Sequence, residues 1–98
     1  MDSFTLSSLK AFKADILRIA NKHGASSVRV FGSVARNEAT PESDLDFLVD
    51  LDPDRSLLDH AALIDELQET LGRSIDVATV KGLKPNIKQH ILSEAVPL

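Results

Sequence analysis

Three aspartates are spaced so that their carboxylates can act together on one ligand. Asp44 and Asp46 alternate with large apolar residues in SDLDFLVDL, residues 43–51, and Asp76 lies in SIDVATV, residues 74–80. Residues two apart on a strand point to the same side, so Asp44 and Asp46 share a face with Cα atoms about 6.6 Å apart. Neighbouring strands lie roughly 4.8 Å apart. If the two strands pair, all three carboxylates meet in a small volume.

The chemistry of such a cluster is the binding of a hard cation. Two carboxylates 4 Å apart repel each other by about 1 kcal/mol in water and by about 4 kcal/mol at an effective dielectric constant of 20. The chain has no cysteine, so the available ligands are oxygens. Mg²⁺ typically takes one or two carboxylates, water molecules and substrate phosphates. We therefore predict that Asp44, Asp46 and Asp76 bind Mg²⁺ together with a phosphate-bearing substrate.

A glycine and a serine ahead of the aspartates provide a place for the phosphates. Gly32 and Ser33 follow the β-branched run SVRVF, residues 27–31, and open a segment that is compatible with a short helix. Glycine lets a phosphate approach the backbone, and the first N–H groups of a helix attract an anion. Arg36, one turn later, is able either to contact the same phosphates or to form a surface ion pair. Gly32, Ser33 and Arg36 are the predicted nucleotide-binding residues.

Together these residues favour an in-line displacement at a nucleotide phosphate, assisted by two metal ions. In this hypothesis Asp44 and Asp46 bridge the ions. Asp76 holds the catalytic ion and accepts the proton of the attacking hydroxyl group. Asp50 follows on the same strand but lies about 13 Å from Asp46, which is too far to take part.

The pattern of apolar residues predicts the elements that position these groups. An apolar stripe of helical period runs from Leu9 to His23, and Gly24 is placed to end that helix. A capping signal at Ser56 opens a second long helix, which Gly72 closes. The predicted strands cover residues 27–31, 44–51 and 74–80, and a last helix runs from Pro85 to the C-terminus.

Strands interleaved with helices predict an α/β (α+β) fold with a small mixed three-stranded sheet flanked by helices. The second and third strands are joined through a whole helix, which favours a parallel pair. The shorter link between the first and second strands allows an antiparallel pair. The length of 98 residues suits a single domain over residues 1–98.

Composition excludes several classes of function. Lys and Arg number 11 against 15 Asp and Glu, a net charge of -4, and the chain has no Trp or Tyr. A chain without a basic surface or aromatic platforms is poorly suited to bind nucleic acid directly. The N-terminus has no basic start followed by an apolar run, and no apolar stretch approaches the ~18 residues of a membrane helix. We therefore expect a cytoplasmic protein without membrane association.

The histidines are expected to have ordinary structural roles. His23, His60 and His90 fall on three different predicted helices. Since isolated histidines on separate elements rarely meet at one ligand, positions at helix surfaces or edges are favoured over metal binding.

The residues above resemble the signature of a known family. Gly32-Ser33, ten residues, then Asp44-Leu45-Asp46 is similar to the motif of the nucleotidyltransferases related to DNA polymerase beta. SIDVATV resembles the strand that bears their third carboxylate. Over nearly its whole length the chain is similar to the minimal nucleotidyltransferases (MNT) of prokaryotes, although Asn37 stands where that family often has glycine. The resemblance implies the nucleotidyltransferase fold and carries over Gly32, Ser33, Asp44, Asp46 and Asp76.

The resemblance also implies a reaction and a partner. In that family the implied reaction is transfer of AMP from ATP to a tyrosine of a HEPN-type toxin, an RNA-cutting protein that is all helical. The nucleotidyltransferase is the antitoxin of the pair. ATP as substrate, Mg²⁺ as cofactor and a HEPN-type toxin as partner are therefore expected.

Two other functions stay open at the level of sequence. The chain could neutralise a toxin by contact alone, as a catalytically silent binding module. It could also transfer the nucleotide to a hydroxyl group of a small molecule, although the further helical domain of larger relatives is absent. Association with itself or with a partner protein is compatible with either function.

Overall fold

The computed structural model describes residues 5–98. The first four residues, on which the expected absence of a leader partly rests, lie outside that range. The elements are α1 (Leu6–Lys10), α2 (Lys13–Lys22), β1 (Ala25–Phe31), α3 (Gly32–Ala35), β2 (Leu45–Leu51), α4 (Leu57–Leu71), β3 (Ile75–Thr79), α5 (Pro85–Glu94) and β4 (Val96–Pro97). Across residues 5–98, every helix is too short or too polar to cross a bilayer.

The strands form one mixed sheet in the order β3-β2-β1-β4. β2 and β3 are parallel, whereas β1 is antiparallel to both β2 and β4. α4 forms the crossover between β2 and β3, as parallel pairing requires. The predicted α/β class and the directions of the three predicted strands are confirmed.

A fourth strand corrects the prediction for the end of the chain. The last helix does not continue to the C-terminus but ends at Glu94, after which Ala95 has extended dihedral angles. Val96 then pairs with Val30 of β1. Pro97 cannot continue a helix, and the free edge of β1 offers backbone partners. The sheet therefore has four strands rather than the predicted three.

The core lies between one face of the sheet and the helices α1, α2 and α4. Leu45, Phe47 and Val49 of β2 are buried on this face, as their alternation predicted. The helices contribute their apolar stripes, which bury Leu9, Ile16, Ile19, Leu63 and Leu67. Burial of these side chains is the main source of the stability of the fold.

The opposite face of the sheet is partly covered, which the sequence did not suggest. Leu48 points to the same side as Asp46, yet it is 0% exposed. The prediction that β2 has only one buried face is therefore wrong at this position. Near the start of β2 the same face is more open, since Asp44 is exposed and Asp46 is only half-buried.

Helix ends follow the predicted signals, with one break that was not predicted. Ser56 and Asp59 form a capping box at the start of α4, and Gly72 ends that helix with φ +65°. Pro85 occupies the first turn of α5. The single helix predicted from Leu9 to His23 is interrupted between α1 and α2, where Ala11 caps the first helix.

Candidate active site

The parallel pairing of β2 with β3 places two of the predicted carboxylates side by side. Asp46 and Asp76 are Cα partners in this ladder, so their side chains leave the same face of the sheet. Asp44 lies just before β2, and the N–H of the next residue, Leu45, donates to the carbonyl of Ser74 at 3.0 Å. Asp44 therefore lies beside the start of β3. Asp44 and Asp76 are exposed, while Asp46 is half-buried.

The electrostatics of Asp46 reflect this crowding. Burial, together with the neighbouring charges of Asp76 and Asp44, raises the pKa of Asp46 to about 6, against the opposing effect of Arg36. The charges of Asp44 and Asp76 thus act on Asp46 in addition to its burial. Such a group of acids favours a bound cation.

The turn at Gly32 lies directly against the Asp46 carboxylate. Gly32 has φ +76°, and a Cβ atom added there would lie 3.0 Å from Asp46 Cγ and closer still to one carboxylate oxygen. Phe31, the last residue of β1, is the Cα partner of Asp46. Gly32 directly follows Phe31, so the Asp46 carboxylate leaves room at Gly32 only for a hydrogen atom as side chain. The predicted phosphate turn and the predicted metal ligands thus adjoin one another.

Arg36 lies close to this turn and is paired with two acids. Its Nε donates to Glu38 at 2.9 Å, and its Nη1 donates to Glu94 Oε1 at 3.0 Å. The same Glu94 oxygen accepts the Gly32 N–H at 2.6 Å. Burial alone would raise the pKa of Glu94, but the Gly32 N–H and the Arg36 guanidinium together hold it below its usual value.

Glu94 is the residue near the site that sequence reasoning missed. It lies at the end of α5, 62 residues from Gly32, and its side chain is 13% exposed. The apolar stripe of α5 predicts a helix, but it does not predict that the last turn of this helix contacts the Gly32 turn. Only the tertiary fold brings these two residues together.

Asn37 departs from the glycine common in the resembling family, and the structure explains why it is tolerated. Asn37 has φ +60°, a left-handed conformation that glycine adopts freely and asparagine more readily than most other residues. The N–H of Glu38 donates to the carbonyl of Ser33 at 2.8 Å. The turn after α3 is therefore closed without glycine.

The carboxylates do not form a ready-made metal cage. Over residues 5–98, no group of three or more His, Asp or Glu side chains has the arrangement of a preformed metal site. The oxygen donors of Asp46 and Asp76, and the repulsion that raises the Asp46 pKa, fit the binding of Mg²⁺. Mg²⁺ is held in many enzymes by one or two carboxylates and by substrate phosphates rather than by an all-protein cage.

Two of the histidines bond within the fold, in keeping with the expected structural roles. His23 Nε2 lies 2.8 Å from Glu66 of α4, and His60 Nε2 lies 2.6 Å from the Val77 carbonyl of β3. Neither contact involves the acidic face near Asp46. His23 and His60 therefore join their helices to neighbouring elements, while the exposed His90 lies 3.5 Å from Glu94 Oε2 on its own helix.

Comparison with known proteins agrees with this arrangement. Residues 13–98 match the nucleotidyltransferase domain family. A Methanocaldococcus jannaschii protein that is provisionally named a protein adenylyltransferase is 43% identical over 88 residues, 90% of this chain and 95% of that protein. The protein adenylyltransferase MntA of Thermococcus cleftensis is 36% identical over 78 residues, 80% of this chain and 79% of that protein.

Solved structures share the fold. One that is provisionally described as a minimal nucleotidyltransferase is 45% identical, covers 97% of both chains and has a TM-score of 0.87. A toxin-antitoxin crystal structure with AMP-PNP is 15% identical, with a TM-score of 0.76 over 87% of this chain and 70% of that chain. A tri-AMPylated HEPN toxin of Shewanella oneidensis in complex with an MNT antitoxin includes a chain that is 13% identical, with a TM-score of 0.69 over 90% of this chain and 69% of that chain.

At 15% and 13% identity the likeness to the toxin-antitoxin structures concerns the fold alone. The family match and the two relatives above 30% identity, in contrast, cover most of the chain. They confirm the predicted family and the predicted class of enzyme. This chain belongs to the nucleotidyltransferase domain family.

Proposed function

We propose that this protein is a Mg²⁺-dependent adenylyltransferase that transfers AMP from ATP to a tyrosine hydroxyl of a HEPN-type toxin and so acts as its antitoxin. The observation that carries the proposal is the register of Asp46 with Asp76 beside the Gly32 turn. Carboxylates next to an anion-binding turn are what transfer of a nucleotide phosphate requires.

The reaction forms one bond and breaks one bond at the α-phosphorus of ATP. The acceptor oxygen bonds to this phosphorus, the bond to the oxygen that bridges the α- and β-phosphates breaks, and pyrophosphate leaves. Asp76 is the proposed acceptor of the hydroxyl proton. Its exposed side chain on the open end of the acidic face is accessible to the hydroxyl group of a second protein.

Asp44, Asp46 and Asp76 are the residues that would hold Mg²⁺. All three offer hard oxygen donors, and a cation would offset the repulsion that raises the pKa of Asp46. When bound, Mg²⁺ neutralises phosphate charge and lowers the pKa of the attacking hydroxyl.

The Gly32 turn and Arg36 are the proposed binding site of the β- and γ-phosphates. Both already donate to an anionic oxygen, the Glu94 carboxylate, which supports an affinity of this spot for anions. The missing side chain of Gly32 lets the Asp46 carboxylate, a proposed Mg²⁺ ligand, lie against this turn. Ser33 adds a hydroxyl group and a backbone N–H that has no partner within its short helix.

The partner is proposed from the comparisons. The Thermococcus cleftensis relative is named a protein adenylyltransferase, and the Shewanella oneidensis complex pairs an MNT antitoxin with a tri-AMPylated HEPN toxin. A small domain that leaves its acidic face open at one end suits an acceptor that is itself a protein. ATP is the proposed donor, in keeping with the AMP-PNP in a structure of the same fold.

The proposal is tested by labelling. The protein is incubated with ATP labelled at the α-phosphate, Mg²⁺ and the purified HEPN-type product of the adjacent reading frame, and the modified residue is located by mass spectrometry. We expect AMP on a tyrosine of the partner. The matched variants are Asp46→Asn and Asp50→Asn, which remove one charge each from the same strand.

Asp50→Asn should retain most of the labelling, because Asp50 lies about 13 Å along β2 from Asp46. Asp46→Asn should lower the rate of labelling at least about a hundredfold, as expected when a charge-stabilising group is removed. Labelling by the wild type that does not exceed the level of Asp46→Asn would contradict the catalytic proposal. Neutralisation of the toxin by Asp46→Asn in the absence of ATP would instead indicate a binding module.

A further inference from the structure

One carboxylate oxygen joins the two ends of the short helix α3. Glu94 Oε1 accepts the N–H of Gly32, the first residue of α3, and the Nη1–H of Arg36, which caps its end. A helix of four residues has no stability of its own. The contact with α5 therefore contributes directly to fixing the Gly32 turn and the direction of the Arg36 side chain.

The position of Glu94 is itself fixed by the sheet. Two residues after Glu94, Val96 of β4 is the Cα partner of Val30 of β1. Gly32 lies two residues after Val30, and Glu94 lies two residues before Val96. Because β1 and β4 are antiparallel, these two residues lie opposite each other, and their contact follows from the strand register.

The pairing of Arg36 leaves part of its guanidinium for a ligand. Its Nε is bonded to Glu38 and its Nη1 to Glu94, and neither of these two ion pairs uses Nη2. A guanidinium carries five N–H donors in a planar fork. With two of its three nitrogens held by carboxylates, the plane of the fork is set and Nη2 stays available for an anionic oxygen.

We propose that Glu94 is a positioning residue for nucleotide binding, which orients the Arg36 guanidinium toward the phosphates of ATP. This inference rests on the proposed function, because it assumes that ATP binds at the Gly32 turn. Glu94 does not contact the nucleotide in this proposal. It acts through Arg36, and its carboxylate holds the guanidinium in the orientation that a phosphate needs.

The experiment compares ATP affinity among variants of the full chain, measured with fluorescently labelled ATP in the presence of Mg²⁺. Glu94→Gln keeps the size of the side chain and removes its charge. It should raise the Kd for ATP about tenfold, a change typical of one lost charged hydrogen bond. The matched control is Glu69→Gln, which removes the same charge from an exposed position on α4 and should change the Kd less than about twofold.

A double-mutant cycle separates positioning from a general effect on the fold. In an Arg36→Ala background, Glu94→Gln should change the Kd for ATP less than about twofold, because the group through which Glu94 acts is gone. In labelling kinetics, Glu94→Gln should raise KM for ATP and change kcat little. Cooperative thermal unfolding checks that each variant is folded, and Glu94→Asp, which keeps the charge, replaces Glu94→Gln if the latter does not fold.

The outcomes are distinct. If wild type binds no ATP, the proposed function fails. If wild type binds ATP and Glu94→Gln binds it equally well, the positioning role is wrong. Tighter binding by Glu94→Gln would also overturn it, since Glu94 would then compete with the phosphates for Gly32 and Arg36. An equal loss with and without Arg36 would show that Glu94 acts on the fold alone.

Discussion

Asp46 and Asp76 are direct partners in the parallel ladder between β2 and β3, and both side chains leave the sheet on the face that meets the Gly32 turn. Asp46 is half-buried there, and its pKa is raised to about 6. The fold thus holds like charges together at a cost in stability. Such local conflict between charge and burial is common at functional sites.

Asp46→Asn should stabilise the protein in the absence of divalent metal. A carboxyl group whose pKa is higher in the folded than in the unfolded chain destabilises the fold at pH above that raised value. With a pKa near 6 for Asp46, the effect is present at pH 7.5 and disappears below about pH 4. Allowing for solvent screening, we expect a gain of the order of 1 kcal/mol, or about 4–8 °C in Tm.

Thermal unfolding in EDTA at pH 7.5 and at pH 4 measures this gain. Asp50→Asn, on the same strand but away from the cluster, should give no comparable increase. A Tm of Asp46→Asn equal to or below that of the wild type at pH 7.5 would show that burial and the neighbouring carboxylates do not appreciably destabilise the charged form of Asp46.

Addition of Mg²⁺ should make the wild type more stable than Asp46→Asn. A cation that binds the folded protein alone raises its stability by RT ln(1 + [L]/Kd), about 1.4 kcal/mol at ten times Kd. The Tm of the wild type should rise with Mg²⁺ concentration, and more so with ATP present, because phosphates complete the ligand set. Asp46→Asn and Asp76→Asn should show little increase. Equal Mg²⁺ responses in wild type and both variants would place the ion elsewhere.

Gly32→Ala should abolish activity and destabilise the fold, whereas Gly72→Ala should only destabilise it. Both glycines have positive φ, but a Cβ at Gly32 would collide with the Asp46 carboxylate, and one at Gly72 would meet nothing within 4 Å. We expect a loss of about 1–3 kcal/mol for Gly32→Ala and about 1 kcal/mol for Gly72→Ala.

Urea unfolding and the labelling assay distinguish the two glycine variants. Gly72→Ala should retain labelling within about twofold, since it alters only the end of α4. Retention of full activity by Gly32→Ala would mean that the turn does not need to approach the carboxylate closely.

Glu66 should contribute stability that is lost in acid. Its Oε1 lies 2.8 Å from His23 Nε2 and 3.0 Å from Lys22 Nζ, and the hydrogen bonds from His23 and then Lys22 hold the pKa of Glu66 below its usual 4.5. A depressed carboxyl pKa stabilises the fold above the unfolded value, and this stabilisation fades as pH falls through the folded value.

Urea unfolding of Glu66→Gln between pH 3 and pH 7 checks this dependence. The variant should be less stable than the wild type at pH 6, and the difference should shrink below about pH 4.5. Glu69→Gln, an exposed change on the same helix, serves as the control. A difference that stays constant over the whole pH range would show that the charge of Glu66 contributes nothing.

The meeting of Asp46 with Asp76 could be predicted because each step depends on local pattern. Alternation of apolar and polar residues identifies both strands and the face of each aspartate. The helix between the strands then favours parallel pairing. Gly32 could be recognised in the same way, since a glycine between a strand and a helix start indicates a tight turn.

The role of Glu94 could not be predicted, because its partners are distant in sequence. Nothing near Glu94 distinguishes it from any other acid on an amphipathic helix. The same reason explains Leu48, whose burial depends on what covers the second face of the sheet. Sequence patterns report which side of an element a residue lies on, but not which other element packs there.

The strand β4 also has a consequence for association between copies of the chain. It is only two residues long and ends in Pro97, which has no N–H to offer to another strand. Because β4 pairs with part of β1, a strand of another molecule cannot pair with β1 there. This protects the protein against aggregation through this edge of the sheet. The outer edge of β3 is the remaining side on which an additional strand could be added to the sheet.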